Sequence, residues 1–232
     1  EQLAVMLHSP KSGLPALLAG GTFTNYAVGR ARARPGSPVF PFFDLAVQTA
    51  RFRDDFRGVA PPDATFALWI GGDDLNDALA ALAVDQTGAT SQAILEAAVA
   101  AVATNIQSLW LSGARTFLVL NIPNLALTPA VRAAGPAAEA GASYLTMAYN
   151  AGLNGALDTL EALPGIRFVR LDADALLTDI VADPAAAGLT TRPPRNPAAN
   201  AECVARPRPP WSRLGNMTDP LDTVDALVDS AV

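Results

Sequence analysis

Four short apolar runs set among longer alanine-rich stretches constrain this chain more than any other feature. The runs cover residues 24–29, 64–70, 115–122 and 166–171. Each is short, rich in β-branched or aromatic residues and without helical period, so each reads as a buried strand. Between and around them lie helical patterns at 43–57, 74–84, 91–111, 129–163, 173–182 and 220–232. Thr128 before Pro129 reads as a helix N-cap with proline at the first helical position, where its missing N–H costs nothing. Leu163-Pro164-Gly165 reads as a helix end handing over to a strand. Near-continuous apolar strands alternating with helices predict an α/β fold, a parallel sheet with helices over both faces.

A chain of 232 residues fits one domain, here taken as 1–232. Its 47 alanines favour the helical part of the pattern. Residues 184–210 hold seven prolines and little periodicity. Too few residues follow for a second domain, so 184–213 is expected to be a Pro-rich loop within the first. The net charge of −6 argues against a nucleic-acid partner. Arg30, Arg32 and Arg34 form a cluster too short for one, and they read as solvated loop charge. The stretch 93–103 is apolar but broken by Glu96, so no membrane span is expected. Glu1-Gln2-Leu3 lacks the basic start of a signal peptide. The single cysteine, Cys203, excludes an intramolecular disulfide, and the single histidine, His8, limits acid–base chemistry.

Ligands of parallel α/β sheets bind beyond the carboxyl ends of the strands. Those ends carry Asn25 to Ala31, Gly71-Gly72-Asp73-Asp74, Asn121-Ile122-Pro123-Asn124 and Asp172. Glycine-bearing turns that open a helix present backbone N–H groups to an oxyanion or a phosphate. Asp73, Asp74 and Asp77 read as a helix start stabilised by the dipole rather than as a metal site. Trp69 reads as core.

Several segments in order then resemble one family. Asn25-Tyr26-Ala27-Val28-Gly29-Arg30-Ala31 is similar to its second block, normally NYAVGGA. Leu68 to Leu75 is similar to its third, normally GxND. Phe43-Asp44-Leu45 with Gln48, the stretch from Gly113 to Pro129, and Tyr149-Asn150 with Leu153 and Leu157 match intervening elements. Asp219-Pro220-Leu221-Asp222 is similar to the last block, normally DPxH. Together they resemble the GDSL/SGNH esterases and lipases, especially the bacterial phospholipase/lecithinase/hemolysin-like branch. The resemblance implies a flavodoxin-like three-layer α/β/α sandwich, a small-molecule or lipid ester substrate, no cofactor or metal, and an extracellular or periplasmic location.

The departures from that pattern matter as much as the matches. The family's nucleophilic serine, in a GDS motif on a first strand, has no match here, and that strand would lie before residue 1. The catalytic histidine position holds Asp222, while Asp219 matches the acid that orients it. The third-block asparagine, an oxyanion-hole donor, is Asp73, and the second-block glycine falls on Arg30 or, in another register, on Gly29. Asn25, Gly71, Gly72 and Asp74 are the neighbouring block residues. His8, beside Ser9, reads as a surface loop residue.

With that strand absent, the remaining strands either pair directly or leave a slot between 24–29 and 64–70. An open slot would make the chain less stable and stickier than a full-length relative. The expectation is an ester hydrolase fold with impaired or absent Ser-His-Asp catalysis. The alternative is a non-catalytic module that keeps an acyl or glycan cleft. A flavodoxin-like cofactor binder is a third reading, one that lacks a phosphate-binding glycine loop of its own.

Overall fold

The computed structural model describes residues 2–36 and 43–189. The strands are β1 (Thr65–Leu68), β2 (Thr116–Leu120) and β3 (Arg167–Leu171). They pair in parallel in the order β1-β2-β3, with Thr65, Thr116 and Arg167 in register. The helices are α1 (Gln2–Met6), α2 (Leu45–Asp55), α3 (Gly72–Val84), α4 (Ala89–Leu111), α5 (Pro129–Ala134), α6 (Pro136–Leu160) and α7 (Ala173–Ala182). This is the α/β architecture read from the sequence, with three of the four anticipated strands in place.

The fourth, at 24–29, is not a strand. Asn25 takes its backbone partners from the preceding loop, donating to the Leu14 carbonyl at 3.1 Å and accepting from Ala16 at 2.8 Å. Its side chain closes a turn on the Ala27 N–H at 3.1 Å. Tyr26 ties the segment to α2, donating its hydroxyl to Asp55 at 3.0 Å and packing edge-on against Phe52. Burial and the Asp55 carboxylate push that phenol up to about 12. With both backbone groups paired to that loop, Asn25 has none left for the sheet. The anticipated slot thus has no strand on its far side: among the described residues β1 pairs only with β2 and forms an edge of the sheet.

The helical pattern at 129–163 divides into α5 and α6. Pro136 lacks the N–H that a continuous helix needs, and Gly135, at φ +94°, turns the chain between the two. Thr128 caps α5 as its sequence position predicts, accepting from the Val131 N–H.

The core lies between the sheet and a layer made by α2, α3, α4 and α6. Phe66, Phe117 and Phe168 share one register row. Their rings sit 5.7 Å apart across each strand pair. Phe52 meets Phe66 edge-on at 5.1 Å, so α2 docks on the same face of the sheet. Side chains alternate along a strand, which puts Ala67, Val169 and Leu171 on the opposite face. Val169 and Leu171 are 51% and 43% exposed there.

Helix α4 is long and apolar enough, by length and composition, to cross a membrane. A single Glu96 does not remove that property, which a core helix can share. In the fold α4 packs against α2, α3 and α6 and buries Leu95, Ala98, Val102, Ile106 and Leu109.

Trp69 is not core. It follows β1 on the same side as Ala67, is 60% exposed, and donates its indole N–H to the Asn121 carbonyl at 3.1 Å. His8 is exposed, as expected, in left-handed backbone after α1.

Candidate functional site at the carboxyl edge of the sheet

Three strand exits meet one another at this edge through side chains. At the β1 exit, Gly71 caps α3 with φ +124° and ψ −13°. Beneath it the hydroxyl of the fully buried Tyr149 donates to the Ile70 carbonyl at 2.8 Å. Gly72 is half-buried, and open space surrounds the place where its Cβ would stand. Asp73 follows, also half-buried. Burial pushes its carboxyl up, while the charges of Arg32 and Arg30 pull it back.

The chain at 30–34 is lashed to the start of α3. Asp74, fully buried, accepts from the backbone N–H of Ala33 at 2.7 Å and of Arg34 at 3.4 Å. The Arg34 guanidinium stands 3.3 Å from the same carboxylate and also pairs with Asp77. Arg32 forms a bidentate pair with Asp77 at 2.6 and 2.8 Å. Hydrogen bonding from Arg32 holds the Asp77 carboxyl below its usual range. These arginines are therefore not solvated loop charge. Ala31 and Ala33 are buried and alternate with Arg30, Arg32 and Arg34, an extended pattern that sends two of the three arginines to α3. Asp74 is likewise more than a favourable charge at a helix start: it is the acceptor that closes the loop onto the helix.

Arg30 has φ +64°, in the left-handed region, whereas Gly29 is not among the positive-φ residues. The glycine-like backbone thus belongs to Arg30, with strain of order 1–3 kcal/mol for a residue carrying a Cβ. Asn25, by contrast, spends its side chain on its own loop, donating to the Gly13 carbonyl at 3.3 Å.

The β2 and β3 exits are linked by Asn121, which donates to Asp172 at 2.8 Å and accepts from the Asp174 N–H at 3.0 Å. Asp174 in turn accepts from the Asn124 N–H at 2.8 Å. Asn150 works like a short strand partner, accepting from the Ile122 N–H at 2.9 Å and donating to the Ile122 carbonyl at 2.8 Å. Asn150→Ala leaves both backbone groups buried and unpaired. It is expected to cost about 1–3 kcal/mol, measurable by urea denaturation.

A cleft of about 490 Å³ opens over these two exits, lined by Asn121, Asn150, Asn154, Asp172, Asp174 and Asp179 among others. Arg30, Gly71 and Asp73 do not line it. The structure therefore joins Arg30, Gly71, Gly72, Asp73 and Asp74 at one exit and leaves Gly29 and Asn25 on the loop leading to it. Asp219, Asp222, Cys203, Trp211, the helical pattern at 220–232 and nearly all of the Pro-rich loop lie outside the described residues. Among the described residues, no group of three or more histidines, cysteines or carboxylates is placed to hold a metal ion.

Residues 4–190 match the family model of the GDSL-like lipase/acylhydrolases. The chain belongs to this family. No curated protein sequence matches it. Membership makes the glycine turn at the β1 exit and the Arg30 loop a natural place to look for chemistry in this GDSL-family domain, since both come from blocks that carry the resemblance.

Proposed function

We propose that this GDSL-family domain binds carboxylic esters or their acyl products but hydrolyses them weakly or not at all. Asp73 carries the proposal. The family resemblance puts an amide donor at this position to stabilise the oxyanion of acyl transfer. Here a half-buried carboxylate stands at the start of α3, with Arg30 and Arg32 as its charge partners. A carboxylate repels a developing oxyanion, and the loss of one donor alone costs on the order of 10²–10³ in rate.

Two further residues support the reading. Arg30, in the left-handed backbone region that favours glycine, adds a side chain at the approach to the site. Asp222, at the histidine position, is a weak base at neutral pH. Family hydrolysis would run through serine attack with a His–Asp pair as base, and that base is missing from this pattern.

The test is turnover of p-nitrophenyl acetate and butyrate by the purified chain. The expected rate equals that of buffer and does not change with Asp222→Ala. Turnover abolished by Asp222→Ala or His8→Ala would overturn the proposal.

Calorimetric titration with butyrate measures acyl binding directly.

A further inference from the structure

Residues 2–18 bury none of their larger apolar side chains. Every leucine, valine and methionine in the stretch is exposed, seven side chains in the sixteen residues from Leu3 to Leu18, ranging from 39% at Leu14 to 75% at Met6. Only Gly13 and Ala16 are buried. The segment is held through its backbone instead. The Ala16 N–H donates to the Asn25 carbonyl at 2.8 Å, and the Asn25 side chain donates to the Gly13 carbonyl at 3.3 Å. Helix α1 packs on the turn at Pro10–Gly13, so the apolar side chains stand on neighbouring pieces of chain. The Leu7 N–H donates to the Leu3 carbonyl at 2.9 Å, which sets Leu7 one helical turn from Leu3, with Met6 on the same stripe. Single exposed apolar side chains are ordinary, but a concentration of this kind marks a surface that something covers.

Charge indicates what covers it. The chain has 22 acidic residues, yet none falls between Gln2 and Phe43. Lys11, the only lysine, stands exposed within the apolar stretch, and the exposed His8 lies near it. Among the described residues neither forms an ion pair. A chain of net charge −6 thus presents one long stretch that does not repel an anionic surface. A second copy docked by the same patch would bring like charges together and offer Lys11 no carboxylate. A protein interface is also richer in aromatic anchors, whereas the first aromatic residue here is Phe23. Aliphatic side chains around a lone ammonium suit the boundary of a phospholipid layer, where leucine and methionine enter the acyl region and the ammonium meets phosphates.

We infer that residues 3–18 form a docking surface for a phospholipid bilayer, with Leu3, Met6, Leu7, Leu17 and Leu18 in the acyl boundary and Lys11 at the phosphates. The bonds to Asn25 fix this surface to the loop that continues to Arg30, so adsorption carries that loop to the lipid. The inference does not depend on the acyl-binding reading, because it concerns adsorption in the absence of any acyl ligand.

The experiment is co-sedimentation of the full chain with vesicles of phosphatidylcholine alone and of phosphatidylcholine mixed with phosphatidylglycerol. Wild type is expected to bind both, the anionic vesicles more tightly and with an affinity that falls as salt is added. Met6→Glu combined with Leu18→Glu should lower the partition coefficient about tenfold or more on both vesicles. Lys11→Gln should lower it about fivefold on the anionic vesicles and little on the others. Val84→Glu, which places the same charge on a residue 89% exposed at the end of α3, should leave it unchanged. Circular dichroism checks that each variant folds, as replacement of side chains already in water predicts. Should the paired variant unfold, Lys11→Gln and the salt dependence still decide. Absence of binding to both vesicles overturns the inference, and so does binding that the paired replacement leaves intact or that Val84→Glu reduces equally. A dimer in sedimentation velocity that the paired replacement dissociates would overturn it too, by assigning the surface to a second copy. Failure to bind butyrate bears on the proposed function alone.

Discussion

Replacing Asp74 with alanine is expected to lower the unfolding free energy by about 3–5 kcal/mol, the usual cost of removing one partner from a buried ion pair. The Ala33 N–H and the Arg34 N–H lose their acceptor, and the Arg34 guanidinium loses one of its two carboxylate neighbours. Asp77 retains Arg34 and Arg32, so the loop at 30–34 stays near α3 without the bond that buries it. Urea denaturation measures the loss, and a melting temperature lower by roughly 10 °C should accompany it. A loss below about 1 kcal/mol would mean that Asp77 alone closes the loop.

The same carboxylate sets a pH dependence. Burial, the largest influence, raises the Asp74 carboxyl to about 6, against the pull of the two backbone N–H groups and the arginines. As pH falls, the folded chain therefore takes up this proton before the unfolded chain does. The group adds stability as pH drops through about 6 and withdraws it as pH rises again. Asp77 works in the opposite sense. Its carboxyl is lowered by Arg32, so its contribution is present above the ordinary carboxylate range and disappears as pH falls through its folded value. Wild type should gain about 1 kcal/mol between pH 7.5 and pH 5 from Asp74. Asp74→Asn, which cannot titrate, should lack that gain.

These two aspartates show which parts of the fold are written locally. The three strands and the long helices follow from short-range periodicity, and each lies within a few residues of where the pattern puts it. The stretch at 24–29 has the same apolar, β-rich composition but is no strand. Its backbone is claimed by Leu14 and Ala16, a pairing that no periodicity within 24–29 reveals. An aspartate at a helix start looks the same whether it faces water or accepts from a loop 41 residues upstream. Tyr149 reads as one more apolar helix position, and only the glycine 78 residues earlier marks where its hydroxyl goes. At the candidate site, the sequence pattern named Arg30, Gly71, Gly72, Asp73 and Asp74, and these five do converge. What holds them there, Tyr149 below and Ala33 and Arg34 beside, is long-range contact between segments whose own patterns suggest nothing special.

Phe117→Ala is the second large effect expected, again about 3–5 kcal/mol, because the position combines full burial with the middle strand. Its ring lies in a line of aromatics that crosses the molecule. Tyr26 meets Phe52 edge-on, Phe52 meets Phe66 edge-on, and Phe66 and Phe168 flank Phe117 at 5.7 Å on either side. The line thus ties the loop before Arg30 to α2 and to all three strands. Alanine at 117 opens a cavity bordered by both neighbouring rings, and the sheet cannot collapse into it without shifting β1 or β3 from register. Phe168, only partly buried on the outer strand, should cost about half as much on the same replacement. Near-equal losses at the two positions would show that the cavity at 117 closes by repacking. The carboxyl exits of β1 and β2 lie only a few residues beyond Phe66 and Phe117. The destabilised variant should therefore also show faster amide exchange at Leu75 and Ile122, whose N–H groups are bonded at those exits, as expected if the aromatic line beneath the candidate site supplies its rigidity.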